Sequence, residues 1–231
     1  LSISYYDLGV ATAKMAYEIL VNGADVSTMD ISYVDASTLV KKSVPERAEK
    51  LGITIPDGFV AIGSDSGSSE NTIKEDLPKY DGDKVFNIGI CQLVQHDALD
   101  AATKGFKDAL TQMLGSDHVK FDEQNASGES STCATIVNQF VSNNVDLILA
   151  NATPALQAAV SATQTIPILG TSVTEYGVAL DIADFSGKTG INVSGTSDLA
   201  PLDQQAAMLN ELFPDAKTVG LLYCSAEPNS Q

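Results

Sequence analysis

A chain of 231 residues with 30 acidic and 13 basic side chains, net charge −17, lacks the clustered Lys and Arg that a phosphate backbone requires, so no nucleic-acid partner is expected. Hydrophobic residues make up 44% with few aromatics and no Trp, which suits an α/β protein, and the length allows one large or two small domains. No apolar run approaches the roughly 18 to 20 residues of a membrane span.

Leu1 to Ser4 alternates like the end of a strand, so Leu1 looks like a cut end rather than a natural start. Tyr5 leads into a helix running to about Val21, with Leu8, Ala11, Met15 and Ile19 on its core face and Asn22-Gly23 as the stop. Asp30 to Ala36 alternates as a strand, and Pro45 to Lys50 suits the first turns of a helix. Ser64 to Asp83 is rich in Ser, Gly, Asp and Glu and offers little to bury, the composition of a flexible linker.

Beyond the linker the pattern is regular. Phe86, Ile88 and Ile90 alternate in a strand from Val85 to Cys91. The helix from Asp97 to Leu114 carries Leu99, Ala102, Phe106, Leu110 and Met113 at helical spacing, and Asp97 can cap its start. A strand at Val119 to Gln124, a helix at Ser130 to Asn143 and a strand at Asp146 to Ala150 follow. Thr153-Pro154 then opens a helix from Ala155 to Thr163, with Thr153 as its cap, before a strand at Ile166 to Gly170. Strands alternating with helices at these lengths predict a doubly wound parallel sheet. Thr174 to Gly195 is less periodic and reads as a crossing, after which a helix at Pro201 to Phe213 and a strand at Thr218 to Cys224 begin a second lobe.

Motifs for chemistry are sparse. Cys91, Cys133 and Cys224 form neither a CxxC pair nor a metal-ligand spacing, and the first two read as small buried hydrophobes. Cys91 with His96 is the one nucleophile–base pairing to consider, and no third group orients it. No phosphate-cradling GxxxxGK[ST], no GxGxxG and no HExxH is present, and His96 with His118 cannot build a His-rich metal site. Neither catalysis nor a cofactor is therefore expected.

The stretches NIGICQLVQHDALDAATKGFKDAL, FDEQNASGESSTCATIVNQFVSNNVDLILANATPALQAA, IPILGTSVTEY and NVSGTSDLAPLDQQAAMLNELFPDAKTVGLLYCSAEPNSQ carry a resemblance. Through them, Val85 to Gln231 resembles the substrate-binding proteins of a family of bacterial ABC transporters often associated with tryptophan or tyrosine uptake. LSISYYDLGVATAKMAYEIL and ERAEKLGITIPDGF resemble the C-terminal end of the same family, although they stand first here.

The resemblance implies a periplasmic-binding-protein type I lobe with a partial second lobe, the two closing on a ligand by hinge motion. In that frame residues 1–63 are the family's closing segment, 64–83 a linker like a lipoprotein's spacer, 84–194 lobe one, and 195–231 a crossing with the start of lobe two. The order implies a circular permutation, as in an engineered scaffold or sensor part, with the remaining second-lobe segment on another chain or fusion. A tandem protein cut across two copies is the alternative.

The implied function is extracytoplasmic capture of a small, aromatic amino acid for an ABC permease, by a periplasmic protein or membrane-anchored lipoprotein. A ligand-sensing regulatory module of the same fold is the alternative. Candidate ligand contacts are Gln92, Gln95 and His96; Thr153 with the helix-start amides of Ala155 and Leu156; Thr171 and Ser172; Ser197 and Asp198, the last suited to an α-ammonium; and Glu227 and Asn229 from the second lobe.

Overall fold

The alternating apolar run at Phe86–Gln92 forms the strand β4, and the rest of the larger unit is built outward from it. The computed structural model describes residues 2–62, 73 and 75–223. It divides into a larger unit, Ser4–Tyr33 with Ile73–Asp198, and a smaller one, Leu1–Ile3 with Val34–Thr72 and Leu199–Gln231. The larger unit holds α1 (Tyr5–Leu20), β1 (Ser32–Tyr33), β4, α3 (Asp97–Leu114), β5 (Val119–Asn125), α4 (Ser130–Ser142), β6 (Leu147–Asn151), α5 (Thr153–Ala162), β7 (Ile168–Val173), α6 (Tyr176–Ala179) and β8 (Val193–Ser197).

Its six strands lie in the order β1-β8-β7-β6-β4-β5, and every adjacent pair is parallel. Ile88 stands opposite Phe121 on one side and Leu147 on the other. Period-two alternation sends Phe86, Ile88, Ile90, Leu147, Leu149 and Leu169 to one face, under α1 and α3, and Cys91, Ile148, Ala150 and Ile168 to the other, under α4, α5 and α6. This is the doubly wound parallel sheet expected from the sequence. Phe106, Leu110 and Met113 of α3 are fully buried, as their spacing requires.

The core face of α1 is turned from the expected one. Tyr6, Gly9, Val10, Ala13, Ala16 and Tyr17 are buried along with Leu8, while Ala11, Met15 and Ile19 are only half-buried. Small residues on that side let α1 approach α3 closely. Farther along, Thr12 Oγ1 lies 2.8 Å from Thr196 Oγ1, which is 3.2 Å from Thr171 Oγ1. A hydroxyl chain thus ties the helix to β8 and β7.

Several boundaries differ from expectation. The strand at Asp30 to Ala36 shrinks to Ser32–Tyr33, beside Thr196 and Ser197 of β8. Val193–Ser197, expected within the crossing, is a fully buried strand of the sheet. Of the expected linker, residues 64–72 and 74 lie outside the described residues. Its end does bury apolar groups: Leu77 joins the core, and the Tyr80 amide donates to the Met113 carbonyl.

The smaller unit contains β2 (Lys41–Ser43), α2 (Pro45–Lys50), β3 (Phe59–Ala61) and α7 (Leu202–Leu212). β2 and β3 pair in parallel, Lys41 opposite Phe59, and Lys41 bonds Glu211 at 2.5 Å. Pro45 at the start of α2 matches the helix expected there. Thr218–Tyr223 is not a strand. Its Leu221 and Leu222 are almost wholly exposed, and an extended chain becomes a strand only when a neighbour takes its backbone hydrogen bonds.

Candidate functional site

Because all six strands point the same way, their C-terminal ends form a single rim. β4 feeds α3 on one face and β6 feeds α5 on the other, so the crevice between the ends of β4 and β6 is the switch point at which open α/β sheets hold ligands. Gln92 and Asn151 end these strands side by side, and the Leu93 amide donates to the Asn151 carbonyl at 3.2 Å.

Gln92 is buried and its amide is fully committed. Its Nε2 donates to the Val94 carbonyl at 2.9 Å and to Asp100 Oδ1 at 2.6 Å, and its Oε1 accepts from the Thr103 hydroxyl at 2.7 Å. Asn151, absent from the sequence-based candidates, completes the network: its Nδ2 donates to the Leu99 carbonyl and to Thr103 Oγ1, both at 2.9 Å. Asn151 carried no local signal, since its partners lie about fifty residues back in the chain. His96, rather than Asp97, caps α3, its Nδ1 accepting from the Ala98 amide at 3.2 Å. Gln95 is exposed beside it.

Gln92 and Gln95 also line a cleft of about 560 Å³ between α3 and the end of β5, with Asp100, Lys104, Glu123 and Asn125 among its walls. Lys104 pairs with Asp108, and Lys107 with Glu123 at 2.6 Å, so both lysines of the cleft are already neutralised. The other expected residues do not line this cleft.

At the end of β6 the backbone turns sharply. Ala152 has φ 91° and ψ 157°, a region other residues leave almost entirely to glycine, and it, not Thr153, occupies the cap position of α5. Thr153 is the first helical residue and is buried; the Ala155 side chain packs in the core; and the Leu156 amide is engaged by the Ala152 carbonyl at 3.1 Å. Of the expected anion-binding amides only Ala155 stands in the first turn with no intrahelical partner by position.

Next along the rim, Thr171 belongs to the buried hydroxyl chain and does not face outward. Ser172 has φ 54° within its strand. Its Oγ and the Asn151 Oδ1 are the two buried side-chain polar atoms that lack a hydrogen-bond partner among the described residues. Ser197 is buried and donates to the Thr174 carbonyl at 2.7 Å. Asp198 takes the Tyr5 hydroxyl on Oδ2 and the Thr174 hydroxyl on Oδ1, each at 2.9 Å, so its carboxylate first of all binds the chain to itself. Burial, then the facing Asp198 charge, drives the Tyr5 phenol well above its ordinary pKa. Glu227 and Asn229 lie outside the described residues.

The nucleophile pairing is not assembled. Cys91 is buried under α4 with its thiol pushed up by burial, whereas the His96 imidazole is exposed at the start of α3. Among the described residues no group of His, Cys, Asp and Glu has the arrangement of a metal site, and no helix is long and apolar enough to cross a membrane.

The chain is similar to a tyrosine-binding protein of Clostridioides difficile, 38% identical over 190 residues, which are 80% of this chain and 55% of that protein. It is also similar to the structure of an ABC domain in complex with L-Trp from Streptococcus pneumonia (39% identity, TM-score 0.58, covering 64% of this chain and 50% of the other). A ligand-free, open structure of a substrate binding protein with adhesive properties from Clostridium difficile matches at 41% identity and TM-score 0.55, over 63% of this chain and 50% of the other. The chain thus spans about half the length of these relatives. The family model for ABC transporter substrate binding proteins matches residues 87–231, and the chain belongs to that family.

Proposed function

We propose that this chain supplies the ligand-gripping rim of an extracytoplasmic receptor that captures an aromatic amino acid and passes it to an ABC permease. The observation that carries the reading is the pair of buried atoms, Asn151 Oδ1 and Ser172 Oγ, that have no hydrogen-bond partner among the described residues and stand at the ends of adjacent strands β6 and β7. Buried polar atoms are nearly always satisfied, so a rim that leaves two of them open next to strained backbone at Ala152 and Ser172 is built to receive hydrogen bonds from a guest. The Asn151 Nδ2 is already spent on Leu99 and Thr103, which leaves Oδ1 to accept, as it would from an α-ammonium. The Ala155 amide suits a carboxylate. Tyrosine and L-Trp in the names of relatives support an aromatic side chain.

In this reading residues 1–63 are the family's closing segment set ahead of its opening one, residues 64–72 have the composition of the spacer that follows a lipoprotein anchor, and the larger unit is lobe one. The docking of α1 into the core of the larger unit supports that order. The second-lobe segment would come from a further part of a fusion or a separate chain, and the permuted order suits a sensor scaffold. Calorimetry tests the ligand, using this chain fused to the part of the Clostridioides difficile relative that the match does not cover. Tyrosine, tryptophan or phenylalanine should give saturable heat and leucine and glutamate none; a flat titration with all three aromatics overturns the proposal.

A further inference from the structure

Cys91, on β4, and Cys133, in the first turn of α4, are free thiols in one core cluster, and neither has any exposed surface. One contact fixes how α4 lies on the strand. Phe140 stacks on Gly89 so closely that a methyl group there would overlap its ring. Two helical turns earlier, Cys133 lies in the same buried cluster as Cys91, which faces the same side of the sheet as Gly89. Both thiols therefore sit in the buried layer between α4 and β4, whose packing the Phe140–Gly89 contact fixes.

We propose that Cys91 and Cys133 are a disulfide-forming pair that closes while the chain folds in an oxidising environment. One thiolate attacks a sulfur of a disulfide oxidant, such as glutathione disulfide or the active-site disulfide of an oxidoreductase, expelling one oxidant thiolate and leaving a mixed disulfide. The other protein thiolate attacks the protein sulfur of that intermediate, forms the Sγ–Sγ bond and expels the second oxidant thiolate. The two protons lost by the protein thiols end on the two oxidant sulfurs, and two electrons pass to the oxidant.

Folding is the stage at which this happens. In the native chain burial pushes the Cys91 thiol up and the adjoining Cys133 adds to the rise; Cys133 is raised by burial as well, against the opposing pull of Cys91. Thiolate is scarce and no oxidant reaches either sulfur, so the folded, reduced protein resists oxidation. The inference stands on core packing and is independent of what the rim binds.

The test refolds the whole chain from reductant into a glutathione redox buffer or into reductant alone, followed by alkylation and peptide mapping. After oxidative refolding the peptides of Cys91 and Cys133 should be joined with the loss of two hydrogens, and Cys224 should be alkylated. The joined form should melt roughly 10 °C above the reduced one, since the bond closes a loop of about forty residues. Cys224→Ser keeps both link and shift, and Cys133→Ala removes both. The proposal is overturned if both core thiols are alkylated after oxidative refolding, if either is joined to Cys224 instead, or if the linked chain melts below the reduced one.

Discussion

Gly9 of α1 and Gly105 of α3 lie where the two helices press together: a methyl on Gly9 would overlap the Ala102 carbonyl, and one on Gly105 would overlap the Tyr6 carbonyl. Backbone thus meets backbone, and Tyr6 adds a 2.8 Å hydrogen bond from its hydroxyl to Asp108. The contact makes a segment from the start of the chain an integral part of a core whose other members follow residue 73.

Gly105→Ala tests that contact. Within a helix, alanine is favoured over glycine by up to about 1 kcal/mol, whereas forcing a methyl into close-packed backbone costs about 1 to 3 kcal/mol or more. The steric effect wins, because the atom met is a carbonyl that cannot turn aside as a flexible side chain would. We expect a net loss of about 2 kcal/mol, read as a lower urea midpoint. A midpoint at or above that of the parent chain would show that the helices do not meet there.

Alkaline pH should unfold the protein through its tyrosines. The Tyr6 phenol is pushed up to about 12, by burial first and then by Asp108, and burial leads the rise at Tyr5, Tyr17 and Tyr176 too. Below about pH 10 these phenols are protonated in both states and add no pH dependence. Above it the unfolded chain releases protons that the native chain retains, so stability falls as pH rises toward the native values. Tyr6→Phe removes one such group and should make the fall in urea midpoint between about pH 10 and pH 12 shallower, although the Asp108 hydrogen bond is lost at every pH. An unchanged slope would mean that Tyr6 titrates alike in both states.

What was legible in the sequence is what period and punctuation encode. The apolar stripe from Leu99 to Met113 and the proline of Pro45 place α3 and α2 at the expected limits. β8 was hidden because it is written in small and hydroxyl residues. Ser194, Thr196 and Ser197 are wholly buried, and their polarity is cancelled by partners from distant segments, such as the carbonyls of Met29 and Asp30 at 3.3 Å from Ser194 Oγ. The same logic hid Asn151 and demoted Thr171: a polar residue's role depends on whether folding brings it a partner, and local sequence does not say so. Leu77 and Tyr80 escaped notice because two anchoring residues in an acidic, Ser-rich stretch leave its average composition that of a tether.

Ala152 supplies the test that separates stability from binding at the rim. Its backbone, at φ 91° and ψ 157°, costs a residue with a β-carbon about 1 to 3 kcal/mol, while glycine adopts it freely at an unfolded-state entropy cost of about 0.4 to 1 kcal/mol. Glycine is also acceptable as a helix cap, and no capping side-chain bond is lost from Ala152. Ala152→Gly should therefore stabilise the chain by about 1 kcal/mol, raising the urea midpoint. If the strain serves to aim the start of α5 at a ligand, the same change relaxes that aim, and the affinity for the aromatic amino acid in the fused protein should fall several-fold. A midpoint that drops would show that the turn is not strained, and a raised midpoint with undiminished affinity would remove the turn from the binding surface.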